Sequence, residues 1–137
     1  MDTADPIIDE IASRWRALLA GEATRQSTVR WAQAQLTNQS WTHEVAHRGL
    51  QLLNDLHHER WTVAGALGCE RSRADYVRWA ADVESFRADP VSWYRVYSLE
   101  FLDRLPEYMR DRTAAMFVAA GYLRAGDVPQ TESKTGT

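Results

Sequence analysis

Residues Trp41–His58 read WTHEVAHRGLQLLNDLHH and predict the helix around which the rest of the chain packs. At the 3.6-residue period of an α-helix, its apolar residues fall within about half of the circumference. They are Trp41, Val45, Ala46, Gly49, Leu50, Leu52, Leu53 and Leu56. The opposite face is polar and carries both His43 and His47. We therefore expect a central helix with one broad buried face and one polar face.

The polar face contains the pattern H-E-x-x-H, formed by His43, Glu44 and His47. Two imidazoles one helical turn apart can share a zinc ion, and the glutamate then serves as general base for a metal-bound water. His58 cannot complete the site, because it lies about 16 Å further along a straight helix. The third ligand would have to come from another helix or a loop, for example Glu70, Asp75 or Glu100, and no spacing singles one out.

A zinc-dependent hydrolase is therefore an alternative hypothesis and not the preferred one. The pattern is short enough to arise by chance, and no convincing strand accompanies it to hold a substrate. We prefer the interpretation of a solvated, histidine-rich helix face without metal or other cofactor.

Two helices are predicted before the central one. Asp5 and Pro6 begin the first as N-cap and first helical residue, and Gly21 ends it. Its apolar residues recur at helical spacing and are Ile7, Ile8, Ile11, Trp15, Leu18 and Leu19. Thr24 caps a second helix that runs to about Leu36.

Three further helices are predicted after it. Residues 59–71 lose the helical spacing and predict an ordered loop with room for one short helical turn. Ser72 then begins a helix with an S-x-x-D box. An aromatic-rich fifth helix covers residues 91–104, after Asp89 as N-cap and Pro90 as first residue. A sixth helix ends before Gly121 in the pattern of a Schellman ending. The inward positions expected in the sixth helix are Met109, Met116, Phe117 and Ala120.

The predicted fold is an all-α, single-domain irregular bundle of five or six helices. It occupies residues 1–124, and the polar residues 125–137 are expected to form a disordered tail.

Composition limits the classes of function. The chain has 137 residues, 45% of them apolar and 26% charged, with a formal net charge of −3, which is typical of a soluble globular protein. The dispersed basic residues argue against nucleic acid binding. Cys69 is the only cysteine, so no intrachain disulfide can form. The absence of a long apolar run and of a signal peptide predicts a cytoplasmic protein without a membrane partner.

Two groups of residues suggest a protein-binding surface. One group consists of carboxylates that recur at intervals of three and four residues: Glu100, Asp103, Glu107 and Asp111. This spacing fits either ordinary surface ion pairs or an acidic surface for a basic partner. Trp61, beside Arg60 in the predicted loop, is either an exposed interface anchor or a plug at the end of the bundle.

Four stretches of the chain resemble small all-helical actinobacterial immunity proteins of the colicin-immunity-like kind. They are RWRALLAGEATRQSTVRWA (14–32), GLQLLNDL (49–56), YVRWAADVESFRADPVSWYR (76–95) and AAGYLRAGDV (119–128). The resemblance implies a non-enzymatic protein that binds and neutralises a toxin domain encoded nearby. It also implies that His43–His47 is variable helix surface. A helical scaffold or adaptor is the remaining alternative, and the oligomeric state is left open.

Overall fold

The computed structural model describes residues 1–56 and 66–128, with side chains from residue 71 onward in the second range. Within these ranges the chain is all-α, as predicted, with six α-helices, a 3-10 turn at Ala125–Asp127 and no strand. The helices are α1 (Pro6–Leu19), α2 (Arg25–Asn38), α3 (Glu44–Asp55), α4 (Ala66–Ala88), α5 (Pro90–Arg104) and α6 (Glu107–Ala119). None of these described helices is both long and apolar enough to cross a membrane.

The backbone packing divides the described chain into two compact units, one within residues 2–87 and the other within residues 88–128. The first unit holds α1 to α4, and the second holds α5, α6 and the 3-10 turn.

Helix α1 begins and ends where the sequence predicts. The Asp5 side chain accepts a hydrogen bond from the Ile7 amide, and Pro6 occupies the first helical position. At the other end Gly21 has a positive φ of 76°, and the Glu22 amide donates to the Ala17 carbonyl at 2.8 Å. This pattern is a Schellman ending, which satisfies carbonyls that the helix itself leaves unpaired.

Asp5 also determines where α3 starts. Its second carboxylate oxygen accepts hydrogen bonds from the amides of Thr42 at 2.9 Å and His43 at 2.8 Å. One buried carboxylate therefore serves the amino ends of two helices. The amide donors at a helix start have no partner within the helix, so a charged acceptor there stabilises the junction.

The core of the first unit surrounds the apolar face of α3. Trp79 of α4 stacks on Trp15 of α1, with ring centroids 5.8 Å apart. The other large buried side chains include Ile8, Ile11, Val45, Leu50, Leu53, Leu56 and Phe86. The buried face predicted for α3 is confirmed for Val45, Ala46, Gly49, Leu50, Leu53 and Leu56. The helix start predicted at Trp41 is wrong, because α3 begins at Glu44 and the half-buried Trp41 precedes it.

Helix α4 begins earlier than predicted. It starts at Ala66, so the loop expected at residues 59–71 is wrong for its last six residues, while residues 57–65 lie outside the described chain. Ser72 is fully buried inside the helix and does not act as its N-cap. A glycine such as Gly68 costs a helix only about 1 kcal/mol, which tertiary packing readily exceeds.

The second unit is built on a small core of Leu102, Ala114 and Leu123. Tyr94 of α5 stacks on Tyr122, with centroids 4.2 Å apart. The sixth helix ends in the predicted Schellman pattern, because Gly121 has a φ of 83° and the Tyr122 amide donates to the Phe117 carbonyl at 2.9 Å.

The inward face predicted for α6 is wrong for three of its four residues, because Met109, Met116 and Ala120 are all exposed. Met116 is 65% exposed and Met109 is 41% exposed. The helix turns Ala114, Phe117 and Val118 toward the core instead, at the i, i+3, i+4 spacing of one face. A short apolar stretch has several faces with this spacing. Which of them is buried depends on how the helix packs against its neighbour.

Residues at the start of the predicted tail belong to the second unit. Ala125–Asp127 forms the 3-10 turn, and Val128 packs against the Leu102–Ala114–Leu123 core. Residues 129–137, the remainder of the predicted tail, lie outside the described chain.

Candidate functional site: the α5–α6 groove

A groove of about 360 Å³ lies between α5 and α6 in the second unit. Its apolar lining comes from Leu99, Leu102, Ala114 and Val128, and its charged lining from Glu100, Asp103, Arg110 and Asp111. The first four residues are buried or half-buried, whereas the four charged residues are exposed. The groove therefore has an apolar floor and a charged rim; we call it the α5–α6 groove.

The chain reversal at Leu105 and Pro106 positions the acidic residues. Leu105 leaves the helical conformation with φ −80° and ψ 149°, and α6 starts after Pro106. Glu100 and Asp103 lie one turn apart on α5, and Asp111 comes from α6. Carboxylates from both helices thus reach the same rim.

Arg110 holds this reversal together. Its Nε donates hydrogen bonds to the carbonyls of Leu102 at 3.1 Å and Leu105 at 3.0 Å. The last carbonyls of a helix lack partners within it, and a cationic donor at this end is favourable. Arg110 therefore satisfies the end of α5 and also stands at the groove rim.

The groove lining carries an excess of negative charge. Three carboxylates and one guanidinium give it a formal charge of −2. The site is therefore suited to a cationic group that also presents apolar surface.

An ion pair supports the wall that carries Val128. Arg95 Nη2 lies 3.0 Å from Asp127 Oδ1, and the other Asp127 oxygen accepts from the Arg124 amide at 3.1 Å. These contacts tie the 3-10 turn to α5 and so hold Val128, the next residue, against the groove.

The sequence identified part of this site. Glu100, Asp103 and Asp111 come together at the groove, whereas Glu107 is exposed and does not line it. Sequence reasoning did not identify Arg110 or Val128. Arg110 follows Pro106 by four residues, and this spacing is a weak signal that its side chain can reach back to the end of the preceding helix. Val128 falls within the predicted tail, so no signal marked it.

The placement predicted for His43 is wrong. His43 precedes α3 as its N-cap residue and is 8% exposed, so it does not lie on a solvated helix face. Its Nε2 is 2.7 Å from the Asp2 carbonyl oxygen, and its ring centroid is 4.7 Å from that of Phe86. The hydrogen bond from its backbone amide to Asp5 places it there.

The other members of the H-E-x-x-H pattern interact with each other. His47 is half-buried and stacks on Trp41 at 4.3 Å, and its Nδ1 is 3.3 Å from Glu44 Oε2. Among the side chains that the structure describes, no three His, Cys, Asp or Glu residues are grouped so as to hold a metal ion.

The proposed third ligands give no further support to a zinc site. Asp75 forms an ion pair with Arg78, and the side chain of Glu70 lies outside the description. Glu100 belongs to the second unit, where it lines the α5–α6 groove. Arg60 and Trp61, the predicted interface anchor, also lie outside the described residues.

Comparisons of the chain with protein-family models, with curated proteins and with solved structures find no match.

Proposed function

We propose that this protein is a non-enzymatic, protein-binding inhibitor of the immunity type, which binds a toxin domain encoded nearby and neutralises it in the cytoplasm. The observation that carries the proposal is the α5–α6 groove, where carboxylates from two helices surround an apolar floor.

The chemistry of the groove suits a protein partner. Protein interfaces combine an apolar centre with a polar rim, and complementary charge speeds association and selects the partner. The rim charge of −2 complements the basic surface with which a nuclease toxin binds its substrate. Blocking such a surface inhibits the toxin without any chemistry by the inhibitor.

The same two helices also carry exposed aromatic side chains outside the groove lining. Phe101 is 40% exposed on α5, and Tyr108 is 84% exposed on α6. Large aromatic side chains contribute strongly to protein interfaces.

A protection assay tests the proposal. The protein would be co-expressed with the toxin encoded by the adjacent gene, and cell survival and binding of the purified proteins would be measured. We expect the natural protein to restore growth and to bind the toxin domain. Survival equal to that of cells without the protein, together with no measurable binding, would refute the proposal.

Charge-matched variants connect the function to the groove. The triple variant Glu100→Gln, Asp103→Asn, Asp111→Asn should weaken toxin binding at least about tenfold, equivalent to about 1.4 kcal/mol. The control triple Glu10→Gln, Asp55→Asn, Glu84→Gln removes the same charge from exposed positions of the first unit. The control should bind within about threefold of the natural protein. Circular dichroism would verify that both variants are folded.

A further inference from the structure

We infer that the α5–α6 groove is a receptor for a single arginine side chain of the partner protein. The inference rests on the proposed function and deepens it, because it names the chemical group that the groove recognises.

The floor fits the aliphatic part of an arginine. Leu102 and Ala114 are buried at the bottom, and Leu99 and Val128 form apolar walls. Arginine packs its three methylene groups along apolar surface while its charged end stays at the polar boundary. A groove with an entirely polar lining would leave these methylene groups in contact with polar atoms.

The rim fits the guanidinium group. Glu100 and Asp103 line the groove from α5 and Asp111 from α6, and these three carboxylates outnumber the single cation of the lining, Arg110. A guanidinium presents five N–H donors in one plane and can bind more than one carboxylate, whereas the ammonium of lysine is a compact point charge. The arrangement therefore favours arginine over lysine.

The same residues are not arranged as a cation site for a metal. Among the described side chains, no group of three His, Cys, Asp or Glu residues could hold a metal ion. The groove has a volume of about 360 Å³ and a lining that is half apolar residues, which suits an extended organic cation.

The test is an NMR titration of the full chain with short peptides. The probes are acetyl-Gly-Arg-Gly-amide, its lysine counterpart and its citrulline counterpart, which has the shape of arginine without the charge. We expect the arginine peptide to shift backbone resonances of residues 99–103, 110–114 and 128 with millimolar affinity, because one side chain makes few contacts. Lysine should bind at least about threefold more weakly, and citrulline should cause no saturable shifts at these residues.

Variants assign the effect to the rim. Asp103→Asn is the first choice, because Asp103 is exposed and its replacement keeps the shape of the side chain. It should weaken arginine-peptide binding at least about threefold, whereas Glu84→Gln in the first unit should leave it unchanged. Well-dispersed amide resonances would show that each variant is folded.

Several results would overturn the inference. The arginine and citrulline peptides could cause equal shifts, or the shifts caused by the arginine peptide could centre outside the groove. Groove resonances that shift when the protein alone is diluted would also overturn it, because they would indicate that a second copy of the chain occupies the groove. A truncated chain that ends at Val128 tests one further occupant. If its groove resonances differ from those of the full chain, and if only the truncated chain binds the peptide, then residues 129–137 are the occupant of the groove.

The inference and the proposed function can fail separately. If the natural protein gives no protection from the toxin, the proposed function fails whatever the peptides do. If it protects but the arginine peptide does not bind, the arginine receptor is refuted while the inhibitory function stands. Equal protection by the groove triple variant would in addition remove the groove from that function.

Discussion

The indole ring of Trp79 lies directly against Gly49, at a place where no larger residue fits. A Cβ atom at residue 49 would be 2.7 Å from both Nε1 and Cε2 of Trp79, far inside ordinary contact distance. Trp79 is fixed there because its Nε1 donates a hydrogen bond to the Val45 carbonyl at 2.8 Å. The absence of a side chain at Gly49 thus sets how closely α4 approaches α3.

Gly49→Ala should destabilise the protein by about 1–3 kcal/mol, because overpacking outweighs the gain of about 1 kcal/mol in helix propensity. Urea unfolding followed by tryptophan fluorescence measures the change. Gly126→Ala is the matched control, since a Cβ there meets no atom within 4 Å, and its stability should change by less than about 0.5 kcal/mol. An unchanged or higher stability of Gly49→Ala would contradict the packing described for Trp79.

Asp5→Ala should lower the free energy of unfolding by about 2–4 kcal/mol, because it removes an N-cap and the acceptor of two further amides. Asp5→Asn keeps one side-chain oxygen and should lose less. Thr24→Ala, which removes only the cap of α2, should cost about 1 kcal/mol. Equal losses for Asp5→Ala and Thr24→Ala, measured by chemical denaturation, would refute the double role of Asp5.

Ser98→Ala should be neutral or stabilising by up to about 1 kcal/mol. The Ser98 hydroxyl is buried and has no hydrogen-bond partner among the described residues, so its removal relieves a desolvation cost. Thr28→Val provides the contrast, because the equally buried Thr28 hydroxyl donates to the Thr24 carbonyl at 2.8 Å. That variant should lose about 1 kcal/mol. A thermal unfolding series in which Ser98→Ala is the less stable of the two would disprove this assignment.

Arg110→Met should destabilise the second unit by about 1–2 kcal/mol, because the Leu105 carbonyl loses the Arg110 donor and the Leu102 carbonyl keeps only the Leu105 amide. Arg112→Met removes the same charge from an exposed position of α6 and should change stability by less than about 0.5 kcal/mol. Hydrogen exchange at residues 99–105 would locate the effect. If the amides of residues 99–105 are equally protected from exchange in both variants, the chain reversal does not depend on Arg110.

Elemental analysis of the untagged protein should find far less than one zinc per chain, since His43 is buried against Phe86 and His47 forms a side-chain hydrogen bond with Glu44. His47→Ala should remain folded, while His43→Ala should be clearly less stable because His43 is the more buried of the two. Stoichiometric zinc that is lost in His47→Ala would instead favour the hydrolase and make Glu44 the next residue to replace.

Helix boundaries with strong local signals were predicted well. Asp5-Pro6 and Gly21 delimit α1, Asp89-Pro90 begins α5, and Gly121 follows α6 as expected. The S-x-x-D pattern at Ser72 predicted a wrong helix start, because such a capping box stabilises a helix only when the helix begins at that residue. Ser72 is instead buried within α4.

The candidate site was predicted only in part. The three-and-four spacing correctly selected Glu100, Asp103 and Asp111 as members of one surface. It also selected Glu107, because spacing alone cannot show how α6 is rotated against α5. The apolar floor could not be predicted, since its walls come from α5, α6 and the chain after the 3-10 turn.

The sequence by itself determined the fold class and most helix ends, because caps and glycine endings act through contacts within a few residues. Only the tertiary structure decided what His43 does and which acidic residues share a groove. The Asp5 carboxylate that places His43 is 38 residues away in the chain. The rotation of α6, which buries Ala114 and exposes Met116, depends on packing against neighbouring elements. Such long-range contacts leave no local pattern, because many apolar faces satisfy the same spacing.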